Sequence, residues 1–476
     1  MPLRTPEQYV ESLRDGRRVY LRGELIEDVT THPVTSAAVQ HAAIDYRMAE
    51  DPQWRDLAVV GEGAEAYSRY YHIPRNADDL LTRSRLIEAA TAKGGTIVAL
   101  IKEIGSDALF ALHRVAARLD RDHGTDYLPR IRAFYRHCRD NDLAVAVAQT
   151  DAKGDRSKGP TEQTHPDYYL HVTEKRADGI VVRGAKCHTS VSVNSNWIIV
   201  LPTRAMGPDD SDYAVAFAVP ANAPGLTLIA SPYLSAPRNA FENPISARHK
   251  MMETVTLFED VFVPWERVFL CGEWESAGPL ALEFVEYHRF TAVSYKLPLV
   301  DLFVGAGQLI AEMNGIARAG HAREKLTWLV AYAETTRALI HAAAHNCRLD
   351  DGIAYPDPLL TNMAKLHFAS HYHEAIHRLQ DLAGGLLVTA PGLEDWEHPE
   401  LGKRLEHYLG GASGTARERA AVLNLISDLT AGDLGGYHAV LAVHAEGSIE
   451  AEKMMVYRSY DPSRAVAYAR QLAGIG

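Results

Sequence analysis

The residues best suited to chemistry lie in a few short stretches. Gln149-Thr-Asp-Ala-Lys-Gly-Asp-Arg156, followed by Gly159, Pro160 and Gln163, leaves an apolar run and enters a loop dense in charge and small residues. Such a loop presents backbone N–H groups, a lysine and an arginine together, which suits phosphates or the ring oxygens of a planar cofactor. A solvated turn would use the same residues. Gly184-Ala-Lys-Cys-His-Thr-Ser190 brings the His188 imidazole and the hydroxyls of Thr189 and Ser190 out of a strand-like segment, with an ordinary ST-turn as the alternative. Glu286-Tyr-His-Arg289 carries His288 as a base, a ligand or a core histidine, and Lys296 follows near the same helical face. Paired glycines, Gly384 and Gly385, end a long helical pattern, where they suit a C-cap or a close backbone approach to a neighbouring chain or a cofactor.

Other chemistries lack their residues. Cys138, Cys187, Cys271 and Cys347 are scattered and form no CxxC pair, so neither a zinc nor a disulfide framework is expected. No P-loop, dinucleotide fingerprint, serine elbow or HExxH occurs. With 61 acidic and 49 basic side chains the net charge is −12, which repels nucleic acid and anionic membranes and leaves a small molecule as the expected substrate. The N-terminal segment lacks a secretory signal, and no window approaches a membrane span, so the cytoplasm is the default location.

The elements that must position these residues fall into three blocks. A chain of 476 residues implies roughly two or three domain-sized units. Residues 1–141 read mainly as helix, with Thr5 and Gln8 at capping-box spacing and helical periodicity over Asn76–Lys93 and Ser106–Arg121. Residues 142–270 carry short β-branched and aromatic runs between turn residues, the last being Glu253–Phe258 and Val261–Pro264. Residues 271–476 return to long alanine-rich helices, among them Leu280–Tyr295, Leu299–Ala317, Gly320–Cys347 and Pro356–Leu382, as in a helical bundle.

The order of Thr150-Asp-Ala-Lys-Gly-Asp-Arg156, Asp178-Gly-Ile-Val-Val-Arg-Gly-Ala-Lys186, Phe258-Glu-Asp-Val-Phe-Val-Pro264, Tyr287-His-Arg289 and Ala383-Gly-Gly-Leu386 resembles the family that joins 4-hydroxyphenylacetate 3-monooxygenases and 4-hydroxybutyryl-CoA dehydratases, closer to the dehydratase branch. The resemblance implies an α+β, acyl-CoA dehydrogenase-like fold: an N-terminal helical domain, a central β-barrel and a C-terminal four-helix bundle. It also implies a homotetramer of tight dimers with FAD between barrel and bundle. Gln149, Thr150, Asp151, Lys153, Asp155, Arg156, Gln163, His188, Thr189 and Ser190 would line the flavin, and Gly384 and Gly385 would touch it from a bundle.

Departures from the family pattern shape the expected chemistry. The dehydratases' cluster cysteines fall at Ala99, Glu103 and Tyr295, the first two expected on a helix before Gly105-Ser-Asp-Ala108, and only the histidine ligand remains, as His288. Without those thiolates no iron–sulfur cluster and no other metal site is expected. Glu253, Lys296 and Ser190 match dehydratase residues, Ala292 replaces a tyrosine, and the C-terminal acid near Tyr437 is read as lost at Leu441. The hydroxylases' phenol-binding residues fall at Ala99, Glu103 and Val147 and do not match.

The activity implied is that of a two-component, FADH2-dependent monooxygenase acting through a flavin C4a-hydroperoxide on an aromatic or other electron-rich molecule. A separate flavin reductase would be its partner. Ser190, His288, Glu103, Tyr295, Lys296 and Glu253 are its candidate catalytic residues. The alternatives are a cluster-free CoA-ester isomerase or dehydratase-like enzyme, in which His288, Glu253 and Lys296 move protons beside FAD, and a flavin-binding protein without catalysis.

Overall fold

The helical pattern after Cys271 resolves into one helix of 40 residues, Trp274–Met313, that joins the expected Leu280–Tyr295 to the expected Leu299–Ala317 and ends four residues short of Ala317. Pro298 lies inside it. Proline costs a helix interior about 3 kcal/mol, but Leu297, Leu299 and Val300 around it are buried, and packing on several sides outweighs the lost N–H. The helices Ala77–Lys93, Glu103–His123, Gly320–His345 and Pro358–Ala383 pack against this central one. A computed structural model describes residues 3–475; Met1, Pro2 and Gly476, the ends of the first and last blocks, lie outside them.

The middle block is β, as its composition dictates, and makes two sheets. The larger runs from edge to edge as Glu24–Ile26, Val19–Leu21, Leu226–Ala230, Thr254–Pro264, Gly179–Lys186 and His171–Lys175. The smaller is Val268–Cys271, Val215–Pro220, Trp197–Val200 and Val145–Ala148. The resemblance implies one barrel, whereas the ladders among the described residues form two sheets with free edges. Two expected strands, Glu253–Phe258 and Val261–Pro264, are a single strand bent by a bulge at Asp260, whose φ is +56°. The N-terminal block does not stand apart: Val19–Leu21 pairs in parallel with Leu228–Ala230.

One residue without a β-carbon fixes how helix meets sheet. A Cβ on Gly105 would lie 2.5 Å from Val145 Cβ, so glycine lets the first turn of Glu103–His123 press on the strand Val145–Ala148. No helix among the described residues is long and apolar enough to cross a membrane.

Candidate active site

A cavity of about 2530 Å³ opens where the sheets meet the long helices. Its wall takes side chains from the loop after Val145–Ala148, from 187–190, from Trp274–Met313 and from the turn 445–448.

The helix Trp274–Met313 supplies His288. Its Nδ1 lies 2.9 Å from Asp107 Oδ2, and its ring stacks on Phe284. Asp107 is wholly buried and also accepts from Arg83 Nη2 at 2.6 Å and Thr291 Oγ1 at 3.0 Å. A carboxylate accepts and cannot donate, so Nδ1 carries the ring proton and Nε2 is the nitrogen left to the cavity that His288 lines.

Farther along the same helix, Tyr295 and Lys296 both donate to Glu446: the Tyr295 hydroxyl to Oε1, and Lys296 Nζ to Oε2 at 2.8 Å. Glu446 sits in a turn between the helices Asp433–His444 and Ile449–Ser459, with positive φ at Glu446 and at Gly447. Its backbone carbonyl accepts from Arg289 Nε at 2.8 Å. Burial raises the Glu446 carboxyl, but Lys296, Lys365 and His288 overcome it and hold the group at about 2, ionised. Burial lowers the Lys296 ammonium to about 8 even though Glu446 opposes the shift. The C-terminal stretch thus does bring a carboxylate to the cavity wall: Glu446, beyond Leu441 in the chain.

A second carboxyl, Glu253, accepts from Ser190 Oγ at 2.8 Å and from Tyr437 Oη at 2.8 Å. Burial pushes it up to about 7 against those two hydrogen bonds. Tyr437 stacks on Tyr233, with ring centres 4.4 Å apart.

His288, Ser190, Tyr295, Lys296 and Glu253 thus line one cavity, but Glu103 does not. Glu103 is wholly buried at the first turn of its helix, where Oε2 accepts from the Lys102 N–H at 3.1 Å, and burial raises its carboxyl. It cannot set substrate charge from there. Ala99 precedes the helix instead of lying on it, beside Leu100 at φ +62°.

The expected cofactor residues divide in the same way. Gln149, Thr150, Lys153, Arg156, His188 and Ser190 line the cavity. Asp151 is buried in an ion pair with Lys186 at 2.8 Å and accepts from the Leu170 N–H, so it braces the loop from behind. Asp155 caps Ser157 in an exposed turn, and Gln163 ties that turn together through the Asp155 N–H and C=O. Thr189 is buried and pairs with Thr254 through its backbone. Gly384 and Gly385 end their helix in the open and do not line this chain's cavity.

The donor set suits an anion and not a cluster. Lys153 is lowered by burial and then by Arg156, against the pull of Asp151, and Lys153, Arg156 and Arg204 together line this side of the cavity. A diphosphate fits that charge. Of the four cysteines only Cys187 lines the cavity, too few thiolates for an iron–sulfur cubane.

Sequence reasoning did not assign roles to Asp107, Glu446, Lys365 or Glu452. Asp107 lies in the Gly105-Ser-Asp-Ala108 step, where a short polar residue among buried neighbours was a usable signal. Glu446 carried none, because an Ala-Glu-Gly turn reads as surface.

Comparison with known proteins decides the family. Residues 5–270 match the family model for 4-hydroxyphenylacetate 3-hydroxylase N terminal, and residues 277–474 the model for 4-hydroxyphenylacetate 3-hydroxylase C terminal. The chain belongs to the 4-hydroxyphenylacetate 3-hydroxylase family. Within that family it is 32% identical to a 4-hydroxybutyryl-CoA dehydratase/vinylacetyl-CoA-Delta-isomerase of Clostridium aminobutyricum, covering 99% of this chain and 100% of that one. It is 28% identical to the oxygenase component of a Thermus thermophilus 4-hydroxyphenylacetate 3-monooxygenase, covering 91% and 89%. Two solved structures superpose with a TM-score of 0.92: an oxygen-tolerant archaeal 4-hydroxybutyryl-CoA dehydratase from N. maritimus, 31% identical over 100% of this chain and 95% of that one, and a 4-hydroxyphenylacetate 3-monooxygenase oxygenase component complexed with FAD, 27% identical over 98% of each. Mixed α+β architecture is common to the family members, which are enzymes, monooxygenases or dehydratases.

Proposed function

We propose that this chain shifts a carbon–carbon double bond in a small unsaturated acyl thioester by proton transfer, as a flavin-holding member of the family without a metal cluster. The observation that carries the reading is one helix presenting a base and an acid to one cavity: His288, fixed by Asp107, and Lys296, fixed by Glu446. His288 Nε2 takes the proton from the carbon beside the thioester carbonyl. The C–H electron pair becomes the new double bond, the old one moves its electrons outward, and the Lys296 ammonium protonates the carbon at its far end. One proton leaves and one arrives, so no oxidant is consumed. Glu446 stays ionised beside Lys296 and holds the ammonium in place for that donation. Glu253, near neutral pH in its affinity for a proton, is the third group able to bind or release one at this wall.

FAD fits the basic wall. Gln149, Thr150, Lys153, Arg156, His188 and Ser190 would hold it, and when bound it supplies redox capacity and an apolar ring surface. The similar enzyme from Clostridium aminobutyricum carries isomerase in its name, which supports the reading. Gly384 and Gly385, open at a helix end, fit a homotetramer in which a neighbour's glycines reach the flavin.

A second reading rests on the apolar side of the cavity, where Ile97, Val98, Leu100, Ile104, Val147 and Leu299 make an apolar wall. That wall suits a two-component monooxygenase using FADH2 from a separate reductase on an aromatic substrate, with His288 deprotonating it. The two readings separate in one experiment. Purified protein loaded with FAD is given a β,γ-unsaturated acyl-CoA in deuterated water without oxygen or reductase. The conjugated thioester, labelled at its outer carbon, is expected. An unchanged thioester, together with oxygen-dependent phenol hydroxylation once a flavin reductase is added, overturns the first reading in favour of the second.

A further inference from the structure

Behind Glu446 lies a buried ion group that the reaction above does not use. Lys365, wholly buried on the helix Pro358–Ala383, donates to the Ala442 C=O at 2.9 Å. Its Nζ also stands between two carboxyls, 3.6 Å from Glu446 Oε2 and 3.9 Å from Glu452 Oε1. Glu452, on the helix Ile449–Ser459, is wholly buried, and neither of its carboxyl oxygens has a hydrogen-bond partner. A buried carboxyl with no partner is costly unless it serves something. Its charged neighbours are Lys365 from the packed helix Pro358–Ala383, Arg289 and Lys296 from Trp274–Met313, and Glu446 from the turn before its own helix. Arg289 is committed elsewhere, to Asn362 and to the Glu446 carbonyl. Glu450 and Lys453 of the same helix pair with each other in solvent.

We propose that Glu452 is a positioning residue which, through Lys365, sets the charge available to Lys296 and so decides when Lys296 can donate its proton. When Glu452 is neutral, Lys365 turns its whole charge on Glu446 and weakens that carboxylate's hold on the Lys296 ammonium. When Glu452 is ionised, it shares Lys365, and Glu446 holds the ammonium more strongly. Burial pushes Glu452 up to about 7 although Lys365 and Arg289 oppose it, so the change falls just below the range in which Lys296 itself titrates. The role assigned to Lys296 rests on the proton-transfer reading; the electrostatic link from Glu452 to Lys296 does not.

The test therefore measures Lys296 and not turnover. The intact protein is labelled with trace acetic anhydride across pH 5–11, and the acetylated fraction at Lys296 is read by peptide mass spectrometry. In Glu452→Gln the half-labelling pH of Lys296 is expected to fall by about half a pH unit, roughly a threefold change in its proton affinity, while Lys365→Met raises it. Glu452→Asp, which keeps the charge, should return Lys296 to within a fraction of that shift. Thermal melts identify any variant that has not folded, and Glu452→Asp then carries the comparison. A Lys296 titration that is the same with and without the Glu452 charge, while Lys365→Met still moves it, overturns the proposal. A normal labelling result with no isomerase activity would fault only the assigned reaction.

Discussion

Asp107 Oδ2 and His288 Nδ1 lie 2.9 Å apart across the packed helices Glu103–His123 and Trp274–Met313, and this contact selects which imidazole nitrogen is left to the cavity. Asp107→Asn removes the charge that fixes the tautomer and leaves the buried Arg83 guanidinium without its counter-ion. Activity should fall about 10²–10⁴-fold. Breaking the buried pair should cost about 3–5 kcal/mol. Chemical denaturation read beside the exchange rate separates the two losses, because the rate deficit must persist under conditions where the variant is fully folded.

In the proposed reaction Lys296 supplies the second proton and must be charged to do so. With its ammonium lowered by burial to about 8, the rate should hold up to neutral pH and decline above pH 8. Lys296→Met should lose the proton-transfer rate by about 10²–10⁴-fold. Deuterium uptake at the outer carbon of the thioester, followed against pH, checks both.

Glu253 gives a stability signature. Burial raises its folded-state pKa to about 7 from an ordinary 4.5, so the folded protein keeps this proton to higher pH than the unfolded chain does. Its stabilising contribution is complete below pH 4.5 and is lost as pH rises through 7. Glu253→Gln, a permanently neutral mimic, should therefore match the parent near pH 4 and be more stable at pH 8 by about 1–3 kcal/mol, screening by cavity water setting the lower figure. Urea melts at the two pH values measure the difference, and a gain of the same size at both would refute the assignment.

Gly105 sets the approach of helix to sheet. Gly105→Ala drives a methyl group to within 2.5 Å of Val145 Cβ and 2.8 Å of the Val145 carbonyl oxygen. The overpacking should cost about 1–3 kcal/mol, despite alanine's better helix propensity. Because Asp107 follows on the same helix, the activity of the folded variant should fall as well, and a shift in denaturation midpoint measured beside the exchange rate tests both effects.

Much of this could be read in the chain alone. Periodicity gave the helix–sheet–helix order because burial of one face must repeat with the geometry of the element. Side-chain type and helical spacing marked His288 and Lys296, while Glu253 was marked by its match to the family pattern. Missing thiols at Ala99, Glu103 and Tyr295 argued against a cluster, because cysteine is the ligand such a cluster takes.

Direction and pairing were beyond the sequence. Glu103 and Glu446 are both glutamates at element boundaries, yet one turns into a closed pocket of its own helix start and the other into the cavity. Nothing local distinguishes them, because the choice is made by which distant chain segment arrives beside each. Asp107 and His288, or Lys365 and Glu452, are partners only once the helices have packed. Proton affinities followed from that packing too, since desolvation and neighbouring charge act through space and not along the chain. Hydrophobic pattern and residue type told which blocks are helical or β and which acids and bases the protein owns; the tertiary structure alone decided where helices and strands join, which groups share a proton and which face the cavity, because packing acts between segments far apart in the chain.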